Sequence, residues 1–170
     1  TKVYMELDSS LTGFDSNLPI VLIDSLGYDF SANDDPRTDY PATAVCAGFF
    51  ETRVDGRADI SGEAQFLGRG GMNVRGASSK TWPKKQFKFE IWDDNDEDKD
   101  VSLLGLPADS DWILAAPYFD KSLRRNDFVF HFWKQMGYYS PRTRFVEVFL
   151  NPNPGEAFSM DHYRGIYLLT

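Results

Sequence analysis

The chain has 170 residues, of which 42% are hydrophobic and 15% aromatic, enough to bury the core of one ordinary domain without disulfides or metal. Its formal net charge is -8 and its isoelectric point about 4.7, the opposite balance to that of a bulk-electrostatic nucleic-acid binder. A single cysteine, Cys46, excludes an internal disulfide, and no apolar run approaches the roughly 18 residues of a membrane helix.

The first half reads as β structure. Val3, Met5 and Leu7 alternate with polar residues, and residues 19–24 (PIVLID) form a short apolar strand. A polar, acidic loop over 27–40 follows. Residues 42–53 are apolar and aromatic enough for a strand, and Cys46 in that run reads as a buried structural thiol, far in sequence from His131 and His162. Asp55-Gly56 is a hairpin signal. A longer strand region spans 58–75, interrupted by Gly68, Gly70 and Gly71.

Residues 85–92 alternate cleanly. Phe87, Phe89 and Ile91 share one face with Lys85, while Gln86, Lys88 and Glu90 take the other with Lys84. The acidic run 93–100 comes next and, like 29–39, reads as a solvated loop. It fails as an EF-hand: counted from Asp94, positions six and twelve hold Lys99 and Gly105 in place of glycine and glutamate.

Leu103-Leu104-Gly105-Leu106-Pro107 suggests a short helical turn, and residues 111–116 (DWILAA) a strand. Asp120 or Ser122 caps a helix running to Met136, with Gly137 as its stop signal. Val129, Phe132, Trp133 and Met136 give it one apolar face. At about 100° per residue Arg125 falls on that face and Asn126 at its margin, so Arg125 is expected to point inward and to need a partner. Residues 144–150 form a strand with Val146, Val148 and Leu150 on one face and Glu147 between Phe145 and Phe149 on the other. Residues 163–169 close a hairpin with it. The chain opens on Thr1 without an initiator Met and ends in a strand that reads as cut at its edge, so a processed, excised or incomplete chain is expected.

Chemistry concentrates in Asn73-Val74-Arg75-Gly76-Ala77-Ser78-Ser79-Lys80-Thr81-Trp82-Pro83-Lys84-Lys85. Glycine, hydroxyls and cations between strands can supply donors to phosphate, although the spacing is not that of a P-loop and the segment also reads as a surface hairpin.

Five segments in this order resemble the CotH kinase family: Arg75 to Ser79, Pro83-Lys84-Lys85, Leu103 through Asp111-Trp112, Asp120-Lys121-Ser122-Leu123 with Arg125-Asn126, and Tyr163 through Leu169. The resemblance runs from about residue 70 to the end. It divides the chain into a β-rich part, 1–65, and a CotH-like part, 66–170. It implies an α+β fold, the antiparallel β-rich N-lobe of a protein-kinase-like fold with one long helix at about 120–136.

It also implies ATP with Mg²⁺ or Mn²⁺ as cofactors and phosphoryl transfer to Ser or Thr of a coat or surface protein. Neither a nucleic-acid partner nor a membrane span is implied, and a spore-coat, cell-surface or secreted location is. Lys85 is the expected phosphate lysine and Lys84 the alternative. Arg75, Ser78 and Ser79 are expected over the phosphates. Arg125, Asn126 and Glu147 are expected to support the cleft, with Glu147 as the lysine's acidic partner, because the helix offers only Asp120 and Asp127. The family's catalytic and metal-binding aspartates are expected C-terminal to Thr170, so these residues alone are expected to lack phosphotransferase activity. Two other readings stand beside this one: a non-catalytic surface or coat interaction module, and a carbohydrate-binding β domain that uses the tryptophans and acidic loops.

Overall fold

Strands with one apolar face must bury it, and here they do so by curling until the sheet closes on itself. The computed structural model describes residues 4–170. In chain order the strands are β1 (Asp15–Ser16), β2 (Ile20–Asp24), β3 (Thr43–Phe50), β4 (Ala58–Asp59), β5 (Phe66–Arg75), β6 (Gln86–Trp92), β7 (Asp111–Ala115), β8 (Arg144–Asn151) and β9 (Tyr163–Leu169). A helix, α1 (Arg125–Gln135), lies between β7 and β8. Of the alternating N-terminal residues, Val3 lies outside the described region, and Leu7 makes a single bridge to Phe158 in place of a strand.

The closed barrel runs β2-β3-β5-β6-β7-β9-β8, while β1 and β4 form a separate two-stranded ribbon. Every barrel pair is antiparallel except β2 with β8, which run parallel with Ile20 opposite Glu147 and Asp24 opposite Asn151. This corrects the expectation of a purely antiparallel sheet, and the reason is arithmetic. Strand directions cannot alternate all the way round a ring with an odd number of members. Strands from both sides of residue 65 close this one barrel.

Phe49, Phe89, Ile91, Met72 and Val146 fill the interior at 0% exposure. The strict alternation of burial along β6 confirms the face assignment of Phe87, Phe89 and Ile91. A second cluster, including Leu11, Ile20, Leu22, Phe149 and Phe158, packs outside the wall, so β2 is buried on both faces. Close packing also explains Gly71: a Cβ there would lie 2.2 Å from the Trp92 ring, which crosses over the strand at that point.

The Leu103-Leu104-Gly105-Leu106 segment makes a turn and not the helical turn expected. Leu104 and Gly105 both take left-handed backbone, at φ 50 and 74, and Leu103, Leu104 and Leu106 join the barrel core. The Leu104 N–H donates to Gln65 Oε1 at 2.7 Å. Arg144 ties the Leu104 carbonyl at 3.0 Å to Glu51 at 2.6 Å.

The helix departs most from expectation. It begins at Arg125, not near 120, because Leu123 sits at φ 59 and the Asp120 carboxylate accepts the N–H groups of Ser122 at 3.0 Å and Arg125 at 2.7 Å. Its apolar face does not meet the barrel. Phe128, Val129, Phe132, Trp133 and Met136 are all exposed. Arg125 therefore does not point into a core. Its side chain is 79% exposed and paired with Asp120 at 3.5 Å. Asp127 ties the helix to the segment before β8: its carboxylate accepts from the Thr143 hydroxyl at 2.6 Å.

Candidate functional site

A cleft of about 420 Å³ opens between the loop at 28–31, the start of β6 and the outer part of β9. Its walls are aromatic: Tyr28, Phe30, Phe87, Tyr118, Tyr163 and Tyr167 line it. The Phe30 and Phe87 rings meet edge to face at 5.6 Å, and Phe87 lies 6.2 Å from Tyr167. Trp82, Tyr118 and Phe119 extend the aromatic surface along the rim, with Trp82 and Phe119 at 4.7 Å. Lys84, Lys85 and Arg164 bring cations to the same cleft, in a chain whose overall charge is strongly negative.

The two lysines are held differently. The Lys84 ammonium donates to the Ile166 carbonyl at 2.6 Å and stands 4.4 Å from the centre of the Tyr167 ring. Burial pulls its pKa below the usual lysine value, while the Glu147 carboxylate opposes that shift. One of its three N–H donors is taken by the carbonyl, which leaves capacity for a ligand. Lys85 directs its ammonium to the Lys80 carbonyl.

Glu147 braces Tyr163, one of the cleft's lining residues. Its carboxylate accepts from Ser16 Oγ at 3.0 Å and from the Tyr163 hydroxyl. Burial first, and then that bond to Glu147, push the Tyr163 hydroxyl far above the ordinary tyrosine range, so it remains a neutral donor. Gly165 sits at φ 81, and a Cβ there would come within 3.3 Å of the Lys84 ammonium. The glycine between Tyr163 and Tyr167 thus meets a backbone requirement and leaves room for the lysine.

The sequence-derived residues are distributed unevenly around this cleft. Lys84 and Lys85 line it, and Glu147 acts electrostatically on Lys84. Arg75 is exposed at the end of β5, Ser78 is exposed on the short 3-10 helix Ser78–Thr81, and Ser79 is buried there; none of the three lines the cleft. Arg125 and Asn126 stand exposed at the start of α1 and do not line it either.

Sequence reasoning did not single out Tyr28, Phe30, Tyr118 or Arg164. The first two lie in a segment whose acids made it read as loop, and they give no periodic signal. Arg164 occupies an unspecified position within the Tyr163 to Leu169 segment. Its guanidinium donates to the carbonyls of Asp161 at 2.9 Å and Leu150 at 3.2 Å.

Other candidate chemistry resolves into structure. Cys46 is half-buried, and burial pushes its thiol up, away from a reactive thiolate. In the acidic run, Asp93 accepts the N–H groups of Asn95 at 2.7 Å and Glu97 at 3.1 Å, and Asp96 pairs with Arg69 at 2.7 Å. Among the described residues no group of three or more His, Cys, Asp or Glu could hold a metal ion. No helix among them is long and apolar enough to cross a membrane.

A family model described as CotH kinase protein matches residues 72–170, more than half of the chain. The chain belongs to the CotH kinase family. Membership carries a kinase-like function at the level of the family. The CotH match contains Lys84, Lys85, Glu147, Tyr163, Arg164 and Tyr167, whereas the Tyr28 to Ser31 wall lies before it. A comparison with curated proteins finds no match.

Proposed function

We propose that this chain is the nucleotide-binding, N-lobe-like part of a CotH-type protein kinase, which uses ATP with Mg²⁺ or Mn²⁺ to phosphorylate Ser or Thr of a coat or surface protein. The observation that carries the proposal is the cleft. It joins an aromatic, apolar interior suited to a flat base with cations suited to phosphate, and that is the donor set a nucleotide requires.

Bound ATP with its divalent ion supplies the transferable phosphoryl group and spreads its charge. The protein's part is to bind and orient. Tyr28, Phe30, Phe87 and Tyr167 exclude water around the base. Lys84 offers its free donors to phosphate oxygens, and Glu147 opposes the downward pull of burial on its pKa. Lys84 is thereby assigned the phosphate contact ahead of Lys85, whose ammonium is turned to a backbone carbonyl. Because no carboxylate cluster is found among the described residues, the residues named here are given the nucleotide and not the metal.

Titration calorimetry with ATP·Mg²⁺, ATP·Mn²⁺ and AMP tests the reading. Binding of ATP that weakens on removal of the two outer phosphates is expected. Heats indistinguishable from buffer dilution for all three would remove the proposal. The exposed aromatic face of α1 favours a second reading, a non-catalytic interaction module, and the same titration separates the two because such a module needs no nucleotide.

A further inference from the structure

Lys80 is a lysine with 4% exposure, whereas the cleft residues that follow it, Pro83, Lys84 and Lys85, are exposed or half-buried. Lysine is almost never fully buried unless something compensates its charge. Here its ammonium donates to the Thr38 carbonyl and stands 5.2 Å from the centre of the Tyr40 ring. Asn73 on β5 grips the same stretch, donating to the Tyr40 carbonyl at 2.8 Å. Lys80 of the β5–β6 connection and Asn73 of β5 thus hold the 38–40 end of a loop whose 28–31 end is a wall of the cleft.

The same residue reaches the cleft by a second route. The Lys80 carbonyl accepts from the Lys85 ammonium, so the backbone that carries the clamp also aims a cleft cation. Along the loop, Asn33 donates to the Tyr28 hydroxyl at 3.1 Å, and Phe30 rests on Phe87. A displacement at 38–40 therefore has a physical path to the aromatic wall.

Building on the nucleotide reading above, we infer that Lys80 is a positioning residue. Its buried ammonium pins the 38–40 end of the loop, and through it fixes Tyr28 and Phe30 as the cleft wall. A buried charge is a poor source of net stability, because its desolvation cost offsets what its contacts return. That cost separates the proposed role from a merely structural one.

The test is Lys80→Met, which keeps the stem and removes the charge, followed by amide hydrogen exchange and ATP·Mg²⁺ calorimetry. Exchange of amides over 28–41 should accelerate by about tenfold or more while the barrel strands keep their protection. ATP affinity should fall roughly 5- to 30-fold as the formed wall becomes a minority state, with little change in melting temperature. If Lys80→Met fails to fold, Tyr40→Leu takes its place, with the same expected pattern. Unchanged exchange over 28–41 overturns the inference, as does wild-type ATP affinity in a variant whose loop has been freed. If the wild-type chain binds no ATP, the nucleotide reading fails separately, and the exchange measurement still decides the clamp.

Discussion

Replacing Lys84 with Met removes one ammonium and little else. Met keeps a flexible apolar stem of similar length, so the packing over the Tyr167 ring survives in outline. The variant loses the donation to the Ile166 carbonyl and gains relief from burying a charge. These effects oppose each other and should leave stability within about 1 kcal/mol of wild type, a melting shift of no more than roughly 4 °C for a chain of this size. Nucleotide affinity has no such compensation. A hydrogen bond to a charged group contributes about 1.5–3 kcal/mol, so the loss should weaken ATP binding roughly 10- to 150-fold. Lys85→Met should cost less, because that ammonium is already committed to the Lys80 carbonyl. Titration calorimetry with ATP·Mg²⁺, paired with thermal melts monitored by circular dichroism, reads both quantities. Wild-type affinity in Lys84→Met, or a larger loss in Lys85→Met, would refute the assignment.

The remaining predictions concern the frame. Phe89 is fully buried, 5.8 Å from the Phe49 ring; Phe89→Ala should destabilise the barrel by about 3–5 kcal/mol and lower the melting temperature by roughly 6–20 °C. Gly71→Ala should cost about 1–3 kcal/mol by driving a methyl into the Trp92 ring, and much of that cost should vanish in the background of Trp92→Ala; additive losses in denaturant titrations would argue against the contact. Hydrogen bonds from Lys88 to Glu90 and Asp111 raise its pKa to about 12, above its unfolded value. A raised folded pKa stabilises fully below the unfolded pKa and stops doing so as the folded value is passed. The melting-temperature gap between wild type and Lys88→Gln should therefore hold steady up to about pH 10 and close as pH rises toward 12.

Local periodicity carried the strands and missed what closes them. The alternation of Phe87, Phe89 and Ile91 is a property of consecutive residues, and the burial of β6 follows it position by position. The parallel seam between β2 and β8 depends on how many strands complete the ring, which no local window contains. The parity argument for the lysines is limited by the same locality. Lys85 shares the parity of Phe87 only if the strand begins at 85, but β6 begins at Gln86, so strand parity does not govern either lysine. In the helix, the apolar stripe was legible, but a stripe does not name its partner, and here Phe132 and Trp133 face outward. The aromatic wall at Tyr28 and Phe30 left no sequence signal because its neighbours are acids and the contact that holds its loop, Lys80 on Thr38, spans some forty positions.

The parallel seam also dictates an order of assembly. Strands β2, β3, β5, β6 and β7 follow one another along the chain and can pair as they leave the ribosome, which yields an open sheet with raw edges at β2 and β7. Only the β8–β9 hairpin can join those edges, β8 along β2 and β9 along β7, so it enters last, as a keystone. Until then an apolar interior and two unpaired edges face the cell, the condition in which sheets stick to one another. A chain divided between β7 and β8 would accordingly yield two pieces with complementary edges, a natural place to seek reconstitution in trans.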